Sequence, residues 1–303
     1  MKTRVSVFAR YISFCVICMV CFTTCFNWGD TPSHIKVNSL SDAEKKLAKH
    51  RFNGDSPEFP VYLCVYFDLG DLSQPDNNYM RLIEIIGNSG LYANLELNEA
   101  TMGGGTVFTS PPLNEAAKGM DKIVQIFMPR ITTSIIADKN EKSPFLFYEN
   151  LIYILCSGSN ITEIGDNAFS FCNSLIFVNI GNSIKSIGRE AFRGCENLEN
   201  ALFGNFLEAI GDKAFYDCRS LENILIDDRI ENLPTLGDSV FLGSTPSKLT
   251  FYINRKHKLY HYTWLWLLEN ASKFNNNGVD VFIKDMEYYF VWKEVCLGNI
   301  YLD

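Results

Sequence analysis

Residues 161–183, ITEIGDNAFSFCNSLIFVNIGNS, are followed without a gap by 184–206, IKSIGREAFRGCENLENALFGNF, and 207–229, LEAIGDKAFYDCRSLENILIDDR. The three lines share a step of 23 residues. Ile164, Ile187 and Ile210 fall in one column, as do Gly165/188/211, Ala168/191/214, Phe169/192/215, Cys172/195/218 and Leu175/198/221. At residue frequencies near 6%, a three-way identity in one column arises by chance roughly once in 300. Six such columns make an internal repeat, and a period of 20 to 50 residues is the signature of a solenoid. Solenoids carry extended surfaces more often than catalytic cavities.

The repeat extends outward in weaker form. Residues 144–154, PFLFYENLIYI, match 168–178, AFSFCNSLIFV, at an offset of 24. Leu236-Gly-Asp-Ser-Val-Phe241 follows Ile210 at an offset of 26. Ile123-Val-Gln-Ile-Phe-Met-Pro129 reads as a first strand of the series. Irregular lengths at both ends are usual for terminal repeats.

The motif I-G-x-x-A-F-x-x-C-x-x-L-x-x-V-x-I resembles the BspA-like leucine-rich repeat family of bacterial cell-surface proteins. The resemblance covers residues 120–254 in whole or part. It departs where the Pro that often follows the strand, present as Pro129, is replaced by Gly181, Gly204 and Asp227. It implies an α/β fold: a curved, right-handed leucine-rich-repeat solenoid, here of about five repeats. It also implies adhesion to host matrix or serum proteins, or contact with another cell.

The flanks read differently. Val61–Leu69 and Leu91–Leu97 are strand-like, and Tyr79–Ile86 has helical spacing ending at Gly87. Residues 58–119 are therefore expected to form a βαβ-like N-terminal cap covering the first turn's open core. Residues 25–57 read as a tether and a short helix, with Ser41 as N-cap and Glu44 three residues on. Residues 255–303 break the period and read as a mixed C-terminal cap. Its aromatics (Tyr260, Tyr262, Trp264, Trp266, Tyr288, Tyr289, Trp292) are expected to pack that cap, with an aromatic ligand site as the alternative.

Residues 1–24 read as a lipoprotein-type signal peptide. Lys2, Arg4 and Arg10 precede an apolar run from Tyr11 to Phe22. At about 18 Å as a helix this run is short against about 30 Å of hydrocarbon, and it fits a secretory signal. Phe22-Thr-Thr-Cys25 resembles a relaxed bacterial lipobox, which would make Cys25 a lipidation site and anchor the exported chain to the membrane. Ordinary signal cleavage nearby is the alternative. Without the leader, 24 basic residues face 35 acidic ones, a net charge of −11. Such a surface repels phosphate backbones, so nucleic acid is not expected as a partner.

No catalytic constellation is expected. Gly103-Gly-Gly105 lacks the Lys-Ser/Thr of a phosphate loop, and His257 and His261 lack the Glu of a zinc protease helix. Cys172, Cys195 and Cys218 have no CxxC spacing. A ladder of buried thiols is the favoured reading, and disulfides across adjacent turns are the alternative. No cofactor is implied.

Alternation along Leu-x-x-Val-x-Ile turns the intervening residues to the open face. The partner-binding ladders are then Tyr153, Phe177, Asn200, Asn223 and Leu155, Asn179, Leu202, Leu225. A sheet face this poor in charge points to an interaction site, the alternative being a weakly amphipathic sheet partly covered by the caps or a neighbouring copy. The expected function is a non-catalytic surface lipoprotein binding a protein partner through its strand face. The alternative is a periplasm-facing envelope lipoprotein acting by self-association.

Overall fold

The computed structural model describes residues 34–50, 54–103, 105–156, 160–226, 232–244, 248–253, 270, 280–285 and 294–296. Cys25, the leader, His257, His261 and the seven C-terminal aromatics lie outside the described residues.

The repeat sequence produces two stacks of parallel strands. The first contains β1 (His34–Val37), β2 (Val61–Val65), β3 (Ala93–Glu96), β5 (Ile123–Phe127), β7 (Tyr153–Leu155), β9 (Phe177–Asn179), β11 (Asn200–Phe203), β13 (Asn223–Ile226), β15 (Lys248–Ile253), β16 (Asp280–Asp285) and β17 (Glu294–Cys296), in that spatial order. Only the last pairing, β16 with β17, is antiparallel among those described. The second stack runs from β4 (Val107–Phe108) through β6 (Ser134–Ile135), β8 (Glu163–Ile164), β10 (Ser186–Ile187) and β12 (Ala209–Ile210) to β14 (Thr235–Leu236). The sequence columns become ladders: Ile164, Ile187, Ile210 and Leu236 pair in register, and all are buried.

The third side of each turn is also hydrogen-bonded from turn to turn. Phe169 N donates to Ala191 O at 2.7 Å, Phe192 N to Ala214 O at 2.7 Å, and Phe215 N to Val240 O at 2.9 Å. This close stacking explains the glycine column. A Cβ on Gly211 would lie 2.8 Å from Arg189 N, closer than real Cβ contacts allow.

Parallel strands sit about 4.8 Å apart, so identical residues in successive turns must touch. Phe145, Phe169, Phe192, Phe215 and Phe241 accordingly form one stacked spine, with centroid separations of 5.1, 4.9, 5.0 and 5.4 Å. Phe108 adds a sixth ring 5.5 Å from Phe145. Tyr79 meets Phe108 edge-on at 5.6 Å, and its hydroxyl lies 3.0 Å from that of Tyr148.

The N-terminal segment differs in detail from the sequence expectation. Helix α1 (Leu40–Lys49) is capped by Ser39, whose hydroxyl accepts from Asp42 N at 3.1 Å, rather than by Ser41. Asp42 in turn accepts from Asn38 N at 3.1 Å, so the cap sits two residues earlier. Helix α2 (Asn78–Ser89) runs past Gly87 to Gly90, which adopts the left-handed conformation. Gly87 serves a contact instead: a Cβ there would lie 2.7 Å from Gly119 Cα. β2 and β3, which flank α2 in the chain, pair in parallel, and β3 pairs directly with β5. That last pairing contains a bulge that absorbs Val124.

Truncating the spine tests its weight. Phe192→Ala should destabilise by about 3–5 kcal/mol and Phe192→Leu by less, read from urea unfolding midpoints.

Candidate interaction face

The expected ladders are in register. Tyr153 pairs with Phe177, Phe177 with Asn200, and Asn200 with Asn223. Leu155, Asn179, Leu202 and Leu225 follow in the same way. Their exposure is uneven. Phe177, Asn200, Leu202 and Asn223 are half-buried, whereas Tyr153, Leu155 and Asn179 are buried. Tyr153 packs edge-on against Phe177 at 6.1 Å, and burial pushes its hydroxyl pKa up to about 12. Asn179 turns to its own strand end, where its side-chain oxygen accepts from Gly181 N at 2.9 Å. Asn223 Nδ2 donates to Asn200 Oδ1 at 2.9 Å, joining the two amides across adjacent strands.

The same two lanes continue beyond the repeats. Tyr62, Asn94 and Gln125 lead into Tyr153, and Cys64, Glu96 and Phe127 lead into Leu155. The sequence reading missed Tyr62, Cys64, Asn94 and Glu96 because the repeat motif is absent from β2 and β3, and it placed the strand of Gln125 and Phe127 without assigning those two to the face. Strand alternation in VYLCV and ANLE is the signal that could have found them. Cys64 Sγ donates to Glu96 Oε2 at 2.9 Å. Burial, with that carboxylate beside it, pushes the thiol up to about 12.

Cys172, Cys195 and Cys218 are buried free thiols, as are Cys64 and Cys156, so the alternative of disulfides across turns does not occur. The thiol column also makes hydrogen bonds that its apolar reading did not include. Cys195 Sγ donates to Phe169 O at 3.1 Å and Cys218 Sγ to Phe192 O at 3.0 Å. Ser244 takes the next place, its hydroxyl donating to Phe215 O. Among the described residues, no group of three His, Cys, Asp or Glu side chains could hold a metal, and no helix is long and apolar enough to cross a membrane.

Stacked parallel turns with aligned Ile, Phe, Cys and Leu columns define a leucine-rich-repeat solenoid. Residues 141–262 match the BspA type leucine rich repeat region in six copies, and the repeat region of this chain belongs to that family. No curated protein matches the chain significantly. Among solved structures, a leucine-rich repeat protein of T. pallidum is 18% identical, with 76% of this chain and 85% of that one covered at a TM-score of 0.33. A leucine-rich cell surface protein of Faecalibacterium prausnitzii is 14% identical, with 72% and 64% covered at 0.31. A leucine-rich repeat protein of Bacteroides ovatus is 18% identical, with 50% and 58% covered at 0.23.

Burial raises the pKa of Cys156 to about 12 and those of Cys172 and Cys195 well above the ordinary thiol value. These thiols should resist iodoacetamide at about pH 8.5 until the protein unfolds, as read by mass spectrometry. Their raised folded pKa stabilises the fold fully below the unfolded value of about 8.5, and that stability should fade as pH rises toward about 12. Cys195→Ser should keep the carbonyl bond and cost less than Cys195→Ala or Cys195→Val, measured by thermal melting.

Proposed function

We propose that this chain is a non-catalytic, exported lipoprotein that binds a protein partner through the strand face of its repeats. The observation carrying this reading is the pair of in-register lanes in which half-buried Phe177 and Leu202 stand beside Asn200 and Asn223. Aromatic and aliphatic side chains with few charges among them are typical of interface cores. Cys25 supplies the lipid anchor in this reading, and residues 58–119 and 255–303 act as caps. The partner is a host matrix or serum protein, or a protein on another cell.

Two measurements test it. Protease shaving of intact cells should remove the chain while a periplasmic control survives; full protection would favour the periplasmic, self-associating alternative. Phe177→Ser, Leu202→Ser and Leu225→Ser together should lower binding to a matrix and serum protein panel by at least about tenfold, roughly 1.4 kcal/mol, while the circular dichroism spectrum holds. Undiminished binding by the triple variant would show the face assignment to be wrong.

A further inference from the structure

We infer that the face binds an extended polypeptide segment lying across the strands, with main-chain groups on its amides and a basic side chain toward its acidic rim. This rests on the protein-binding reading above. The lanes run from β2 to β13 through the one bulge between β3 and β5, seven strands, a span of about 29 Å. An extended peptide covers that distance with about nine residues.

The chemistry of the lanes selects the occupant. A primary amide both donates and accepts, which matches a peptide group. Gln125, Asn200 and Asn223 place such amides at half-buried positions of one lane. Asn94, in the same lane, is buried and hydrogen-bonded to Tyr62, so it supports the face from beneath. Phe127, Phe177 and Leu202 offer apolar contact between the amides.

Charge sets the polarity of the partner. Glu96 lies in the second lane, while Glu199 and Glu222 directly precede the two Asn residues. Glu199 is close enough to Tyr153 to raise its pKa. Lys36 stands near Cys64 at the β1 end. Lys122, directly before β5, is held by Asp121 and the Tyr92 ring, whereas Glu96, Glu199 and Glu222 are carboxylates along the lanes. These three carboxylates favour a Lys or Arg side chain and disfavour an acidic segment.

The test uses the full exported chain and four probes: three peptides, each about nine residues long to match the span, in which Thr and Val alternate with Lys, Gln or Glu, and cellohexaose as a neutral glycan. Fluorescence anisotropy should rank the Lys peptide first, the Gln peptide weaker, and the Glu peptide last. Asn200→Ala with Asn223→Ala should weaken the Lys peptide by about tenfold with the melting temperature retained. Glu199→Gln with Glu222→Gln should remove the preference for Lys over Gln. Binding of cellohexaose alone, or peptide binding indifferent to the amide pair, would overturn the inference. Whole proteins that bind through Phe177, Leu202 and Leu225 while no peptide does would overturn it and leave the broader reading standing.

Discussion

The spacing of parallel strands governs this molecule. Backbone hydrogen bonds hold neighbouring turns about 4.8 Å apart, and that distance falls within the centroid separations that offset-stacked aromatic rings adopt. A residue type that fits once therefore fits again one turn later. The Phe spine and the Cys column follow from this constraint, as does the Gly column, where backbone of one turn fills the space a Cβ would occupy in the next. Each column repeats because its neighbours in the stack have the same shape.

The cysteine column shows the constraint acting on polar groups. The carbonyls of Phe169, Phe192 and Phe215 already accept from Cys172, Cys195 and Cys218 N, and each takes a second bond from a buried side-chain donor in the next turn. Thiols at Cys195 and Cys218 supply the first two, and Ser244 supplies the third where the period lengthens. A small side chain with one weak donor fits both the volume and the bonding requirement. A purely apolar residue would meet only the first.

Much of this was legible in the sequence. The columns marked which residues are buried in the regular turns, and alternation placed Tyr153, Phe177, Asn200 and Asn223 in one lane. Burial of Tyr153, Leu155 and Asn179 was not legible, because it depends on how side chains lean on neighbours rather than on parity. The cap of α1 was misplaced because Ser39 and Ser41 both offer a hydroxyl near the helix start, and only Ser39 stands three residues before Asp42, whose N–H it accepts. The N-terminal extension of the lanes was hidden because β2 and β3 share the pleat of the repeats without sharing their motif.

The bulge at Val124 gives that extension its continuity. Ala93 aligns with Ile123, but Asn94 aligns with Gln125, so the two strands are out of phase by one residue on either side of the join. Without the correction, a period-two pattern would send Gln125 and Phe127 to the core and Ile126 to the open face. Val124 is the added beat that brings the two rhythms into step, and it remains buried, with its carbonyl accepting from Ile152 N at 3.0 Å. Segments of unlike period can thus be spliced into one uninterrupted surface.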